Sequence, residues 1–330
     1  MAVIPSRLIA KIAMMSDSVI IAVNVNVPIY EVSQKKIVTL SPERTNEGDF
    51  RTMKQPILEY YDFGEKVTAF STTRFVGDGT SRSTSAACPN SNYAEFNINP
   101  FCGDDVAHIS RNRQALCSLL GIGDSQLLMP HQVHLTKTVR IDEALLSLPE
   151  EQRREALDGY DALMTDLKGV CIGVSTADCI PILLHDEVHH AVCAVHAGWR
   201  GTVGRIVEKA LAEMRTAFDT RPEQVKAQIG PGIHLDSFEV GDEVYEAFVS
   251  EGFPMELISK RYPSPQTSPS AEKWHIDLPE CNRQQLLAAG VPAASIAVSP
   301  VCTYEQSDRF FSARRLGINS GRIFTGIMMV

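Results

Sequence analysis

"GVCIGVSTADCIPILLHD" (residues 169–186) and "HHAVCAVHAGW" (189–199) decide the fold. Both runs are rich in Val, Ile and Leu and read as buried strands. Each is interrupted by chemistry. Asp178 and Cys179 break the first, and His196 closes the second. The bland reading is that cysteine packs well in a core and a buried histidine is satisfied by a hydrogen bond. The sharper reading is that both point into one site.

The second strand runs into Gly198-Trp199-Arg200-Gly201 and then "TVGRIVEKALAEMRTAF" (202–218). Val203, Ile206, Val207, Ala210, Leu211 and Met214 recur at helical spacing, with Thr202 expected as the N-cap. A glycine-rich strand-to-helix turn exposes backbone N–H groups at the positive end of a helix, and Arg200 adds a planar cationic fork. That makes a candidate phosphate or carboxylate site, against the plainer reading of a tight turn with a solvated arginine.

Upstream, "KVTAFSTTRF" (66–75) reads as a strand and "VGDGTSRSTSAACPNSN" (76–92) as a loop. "DDVAHISRNRQALCSLLGIG" (104–123) reads as an amphipathic helix with Val106, Ile109, Leu116 and Leu120 near one face, stopped at Gly121 or Gly123. "QLLMPHQVHLTKTVRI" (126–141) is a strand pair or strand–loop–strand, and a charged helix and turn follow in "LPEEQRREALDGYDALMTD" (148–166). Downstream come the strand "VKAQIGPGI" (225–233), the short helix "GDEVYEAFVSEG" (241–252) and the loop "PSPQTSPS" (263–270). A helix capped by Asp277 and Glu280 and two last strands, "SIAVSPVCTY" and "RIFTGIMMV", complete the chain. Mixed strands and helices without repeats make the class α/β (α+β).

The chain has 330 residues, 44% of them hydrophobic, enough for a sizeable core. With 40 acidic and 31 basic residues it has a net charge of −9, which argues against a long basic groove for nucleic acid. Its eight cysteines include no C-x-x-C pair, so a zinc ribbon is excluded and reduced thiols in a cytoplasmic protein are expected. The apolar N-terminus is broken by Lys11, Asp17 and Ser18 and shows no clear cleavage pattern. No run is long enough for a membrane helix. Residues 1–52 are expected to be an appended, poorly ordered extension, and 53–330 a single domain.

His134 lies in "PHQVHLT", another strand-flanking segment. A His–Cys–His set suits a catalytic zinc with an open fourth position. The same trio supports a metal-free reading, with Cys179 as nucleophile and a histidine as base. Spacing alone leaves both open. His185, His189 and His190 are expected to be solvated in a hairpin turn, His131 to be exposed or to sit behind the site, and His108 and His275 to be structural.

"MPHQVH", "STADCIPILL", "AVHAGWRGT", "IGPGI", "FEVGDEVYEAF", "WHIDL" and "CTY…FFSARR" stand here in the order in which they occur in the laccase-domain family. That family is also called multicopper polyphenol oxidase-like, and its members are described as purine nucleoside phosphorylases. The resemblance runs from about residue 68 to the C-terminus. It implies a layered mixed-sheet domain similar to the cytotoxic necrotizing factor catalytic fold. It implies that His134, Cys179 and His196 form one site, holding zinc or, as the alternative, copper. The activities implied are phosphorolysis of adenosine, inosine, guanosine and methylthioadenosine, and deamination of adenosine, by a monomer or homodimer. Arg200, Arg74 in "STTR" and Arg314 in "SARR" are candidates for phosphate, Gln132 for orienting base or ligand, and Asp178 for holding a ligand histidine in one tautomer.

The chain departs from the family's pattern at Leu135, where glycine is usual, and in the longer loop after Arg74 that carries Cys88. Both put substrate preference in doubt more than the reaction. A coupled copper oxidase would need many histidines, typically in His-x-His pairs, and none of the nine histidines forms one. A Cys179–histidine hydrolase or amidase is the stronger alternative, and a non-catalytic metal-binding protein the weaker.

Overall fold

The structure is a computed structural model that describes residues 54–77, 92–263 and 272–330. The extension over 1–52, Cys88 and nearly all of the Pro/Ser-rich loop lie outside the described residues. The strands are β1 (Gln55–Tyr61), β2 (Val67–Gly77), β3 (Leu127–Leu128), β4 (Thr138–Arg140), β5 (Ala162–Thr165), β6 (Cys171–Thr176), β7 (Ile180–Asp186), β8 (Ala191–Ala197), β9 (Val225–Ile229), β10 (Glu239–Val240), β11 (Ser259–Pro263), β12 (Glu272–Ile276), β13 (Ile296–Val298) and β14 (Ile323–Met329). The α-helices are α1 (Val106–Leu120), α2 (Glu143–Leu146), α3 (Glu150–Ala156), α4 (Trp199–Val203), α5 (Ile206–Phe218), α6 (Asp242–Ser250), α7 (Met255–Ile258), α8 (Leu278–Ala288) and α9 (Ala313–Leu316).

Two mixed sheets carry the molecule. One has the order β1-β2-β14-β6-β3 and the other β13-β9-β7-β8-β5-β4, and a small antiparallel sheet β10-β12-β11 stands beside them. Side chains alternate faces along a strand, and this alternation builds the layers. Ala69 of β2, Ile172 and Val174 of β6 and Ile327 of β14 meet Leu163 of β5, Leu183 of β7 and Val192 and Ala194 of β8 between the sheets. The intervening residues Ile182, Leu184, Cys193 and Val195 face outward onto Ile206, Ala210 and Met214 of α5 and Leu286 of α8. On the far side, Leu116 and Cys117 of α1 cover Phe70 and Phe324. The class is therefore mixed α/β with two mixed sheets and a small antiparallel one, the main layers running helix–sheet–sheet–helix.

Three local expectations change. Val106 is 80% exposed, because it opens α1 ahead of the buried stripe that begins at Ile109. His185 is buried in β7 rather than solvated, since the turn begins only after Asp186, and its ring meets Phe63 edge-on. Thr202 caps nothing: it is buried within α4, its hydroxyl accepting from Asn282 and its carbonyl from Gln285 of α8. The chain breaks at Gly204 and Arg205, whose φ is +62°, before α5 starts.

Candidate active site

The antiparallel register of β7 and β8 sets Ile180 opposite Ala197 and Pro181 opposite His196. Cys179, one step before β7, therefore faces Gly198, one step after β8. His134 arrives from the segment between β3 and β4, with a φ of +62° that is unusual for a residue with a side chain. Among the described residues, His134, Cys179 and His196 gather with one ligand atom each, all within 4.8 Å of one another. The two imidazole centroids are also 4.8 Å apart, edge to face. Gly198 makes the space. A Cβ there would lie 3.0 Å from Cys179 Sγ and 3.2 Å from His134 Cδ2.

Electrostatics favours ions in this cluster. Burial alone would push the Cys179 thiol up, but His196 and His134 outweigh it and bring it down to about 6. Burial would likewise push His196 down, yet the Cys179 thiolate and Asp161 raise it to about 9. Burial opposes ionisation of Asp161 too, while His196 and the N–H groups of Leu135 and His134 keep its carboxyl below the usual range. A thiolate with two imidazoles is a donor set that fits zinc or copper, and Gly198 leaves room beside the sulfur.

Asp161 was not singled out in the sequence, although a buried aspartate ahead of the apolar "ALMT" carries the same signal as Cys179. Its Oδ1 lies 2.8 Å from His196 Nδ1. The place expected for Asp178 beside a histidine is thus occupied by Asp161. Asp178, with φ of +88°, instead accepts from Thr303 Oγ1 at 2.8 Å and from the Arg314 N–H at 2.7 Å.

The remaining candidates are each engaged. Gln132 forms a closed pair with Ser175, donating to its carbonyl at 2.8 Å and accepting its N–H at 2.7 Å, which fastens the His134 segment to β6. Arg74 donates to the Ser307 carbonyl and lies 5.2 Å over Phe311, tying β2 to the 307–311 segment. Arg200 is exposed in α4 with its guanidinium 4.3 Å over Trp199. Arg314 donates to the Glu239 carbonyl and rests over Phe238. The amide expected to face an anion at Thr202 already donates to the Gly198 carbonyl, because α4 starts earlier than expected. His131 pairs with Asp158 at the surface and packs at a tilt against Phe101.

Comparison with known proteins agrees with this architecture. The chain is 48% identical over 242 residues to a purine nucleoside phosphorylase of Bacteroides thetaiotaomicron, covering 73% of this chain and 87% of that one. It is 44% identical over 273 residues to the adenosine deaminase RL5 of an unknown prokaryotic organism, covering 82% and 98%. The crystal structure of YlmD from Geobacillus stearothermophilus superposes with a TM-score of 0.67 at 30% identity, over 80% of this chain and 92% of that one. The hypothetical protein YfiH of Bacillus licheniformis shares the fold, with a TM-score of 0.71 at 23% identity over 86% and 98%. Residues 79–330 match the family described as multi-copper polyphenol oxidoreductase laccase, and the chain belongs to that family.

Proposed function

We propose that this chain is a purine nucleoside phosphorylase that also deaminates adenosine, both at the site of His134, Cys179 and His196. The observation that carries the reading is the gathering of these three side chains around Gly198, in a chain this similar to relatives named for those two reactions. The substrates proposed are adenosine, inosine, guanosine and methylthioadenosine, with phosphate.

In phosphorolysis the glycosidic bond breaks with its electron pair going to the purine, and a phosphate oxygen bonds the anomeric carbon. The protein must hold a phosphate and support a departing purine anion. Arg200, Arg314 and Arg74 are proposed for the phosphate. Gln132 is proposed to orient base or ligand, through its hold on the His134 segment. His134, Cys179 and His196 would hold a metal, zinc by preference and copper as the alternative. When bound, such an ion supplies Lewis acidity and lowers the pKa of a water to ~7, which attack at purine C6 calls for. The chain's own part is to keep Cys179 ionised and the space beside Gly198 open.

The Cys179–His196–Asp161 alignment favours one second reading, a metal-free thiol hydrolase. We propose that the layered sheets take a fold similar to the cytotoxic necrotizing factor catalytic domain. We take 53–330 as the catalytic domain, acting in the cytoplasm as a monomer or homodimer, without nucleic acid or membrane as partner. Among the described residues no helix is long and apolar enough to cross a membrane.

The test is a product assay. Adenosine and inosine are incubated with and without phosphate and chelator, beside Cys179→Ala. Phosphate-dependent release of free base, and inosine from adenosine, both lost in the variant, are expected. Cleavage of amides or esters that survives chelation, with no base or inosine formed, would replace this reading with the hydrolase.

A further inference from the structure

Asp161 is wholly buried just ahead of β5 and touches both histidine-bearing segments. Its Oδ1 lies 2.8 Å from His196 Nδ1 and accepts the His134 N–H at 2.9 Å. Its Oδ2 accepts the Leu135 N–H at 2.7 Å and the Val133 N–H at 3.4 Å. Its own carbonyl accepts the His196 N–H at 2.8 Å. Four groups converge on two oxygens, and an ionised carboxylate offers acceptor sites only, so His196 Nδ1 must face it with its proton. Three of them are successive amides, and they hold His134 in its left-handed conformation.

We infer that Asp161 is the positioning residue of this site: it seats both histidines and fixes neutral His196 with its proton on Nδ1 and its lone pair on Nε2. A ring nitrogen can act as ligand or base only through that lone pair, so the tautomer decides whether His196 serves the trio. No other side chain of this size replaces the carboxylate. An asparagine turns an NH2 toward at least one of the four donors in either orientation, so part of the grip is lost whichever way it sits. The role rests on the reading of the trio as a metal site, and its test keeps the two apart.

Asp161→Asn is titrated with Co(II), using a competing chelator and following the absorption of the ion on Cys179. Circular dichroism and cooperative unfolding check its fold. We expect a folded variant whose Co(II) affinity falls about 10–100-fold while the thiolate-to-cobalt absorption persists, since Cys179 is untouched. A folded variant binding Co(II) within about two-fold of wild type would overturn the assignment. The second measurement needs no variant. Nitrogen NMR of the metal-free wild-type imidazole, followed to rising pH until the ring has lost one proton, is expected to find the remaining proton on Nδ1. A proton on Nε2 would overturn the assignment even if Asp161→Asn did not fold. A wild-type chain that bound no Co(II) would count against the metal reading alone, and the tautomer would then decide the role of Asp161.

Discussion

Gly198→Ala adds one methyl group at the point where the three side chains meet. Gly198 has φ −70° and ψ 171°, an extended conformation that alanine adopts freely, so the backbone does not object. The new carbon does. At 3.0 Å from Cys179 Sγ and 3.2 Å from His134 Cδ2 it sits roughly 0.5 Å inside a comfortable contact. Overpacking of this kind costs about 1–3 kcal/mol. The strain has two outlets. If the trio stays, the domain loses that stability and melts roughly 2–4 °C lower for each kcal/mol. If Cys179 or His134 swings away, the same energy is needed to bring it back, and metal affinity falls roughly 5–150-fold. Differential scanning calorimetry of the metal-free chain and chelator competition with Zn(II) read the two outlets separately. Gly123→Ala is the control, since its Cβ would meet nothing closer than 3.4 Å at a φ of −80°. A Gly198→Ala protein that melts and binds zinc like wild type would refute the geometry, because the strain must appear in one measurement or the other.

In the metal-free chain, alkylation of Cys179 by iodoacetamide should reach half its maximal rate near pH 6, followed by peptide mass spectrometry, and His196→Gln should move that midpoint upward. Linkage gives the matching stability profile. The depressed thiol contributes above its unfolded value and loses that contribution as pH falls through about 6, while the raised His196 contributes below its unfolded value and loses it as pH rises through about 9. Their mutual attraction thus operates between the two, and melting temperatures should drop on both sides of that window in wild type; Cys179→Ala should lose the acid-side drop and show a smaller alkaline-side drop, since Asp161 still holds His196. Gln132→Ala breaks the closed pair with Ser175 and should cost about 1–3 kcal/mol while speeding hydrogen exchange at the Ser175 amide. Leu183→Ala, between the sheets, should cost about 2–5 kcal/mol in denaturant unfolding and leave turnover per folded molecule unchanged.

Cys179 and His196 were legible because polar chemistry stands out in apolar strands, and strand pairing then does the rest. Asp161 carried the same signal but lies beside Gly159, where a turn was the natural reading. His185 reads as part of the hairpin turn because two more histidines follow it in "LLHDEVHHAV", whereas the strand keeps its alternation through Leu183 and His185. Thr202 has the right chemistry for a cap, and what overrides it comes from Asn282 and Gln285, distant in sequence and invisible to a local rule. The strands β10, β11 and β12 were missed because they are short and only partly buried, with too little alternation to show. The arginines were legible as cations, but their aromatic and carbonyl partners follow only from the folded contacts.

The position of β14 bears on how the molecule is made. Ile323–Met329 is hydrogen-bonded on one side to β2 and on the other to β6, so the middle of that sheet comes from the far end of the chain. Ser71 and Thr325 touch across it at a separation of 254 residues. At a synthesis rate of about 5–20 residues per second, β2 waits roughly 10–50 s for its neighbour. Through that interval β2, and β6 from the time it has been made, each present an open edge to every other unfinished chain nearby. The surroundings of Cys171 and Phe324, and with them the sheet to which Gln132 anchors His134, close only when β14 slots between two strands made before it. The sheet that anchors the His134 segment is therefore complete only once β14 has been made, although His134, Cys179 and His196 have all been in the chain since residue 196.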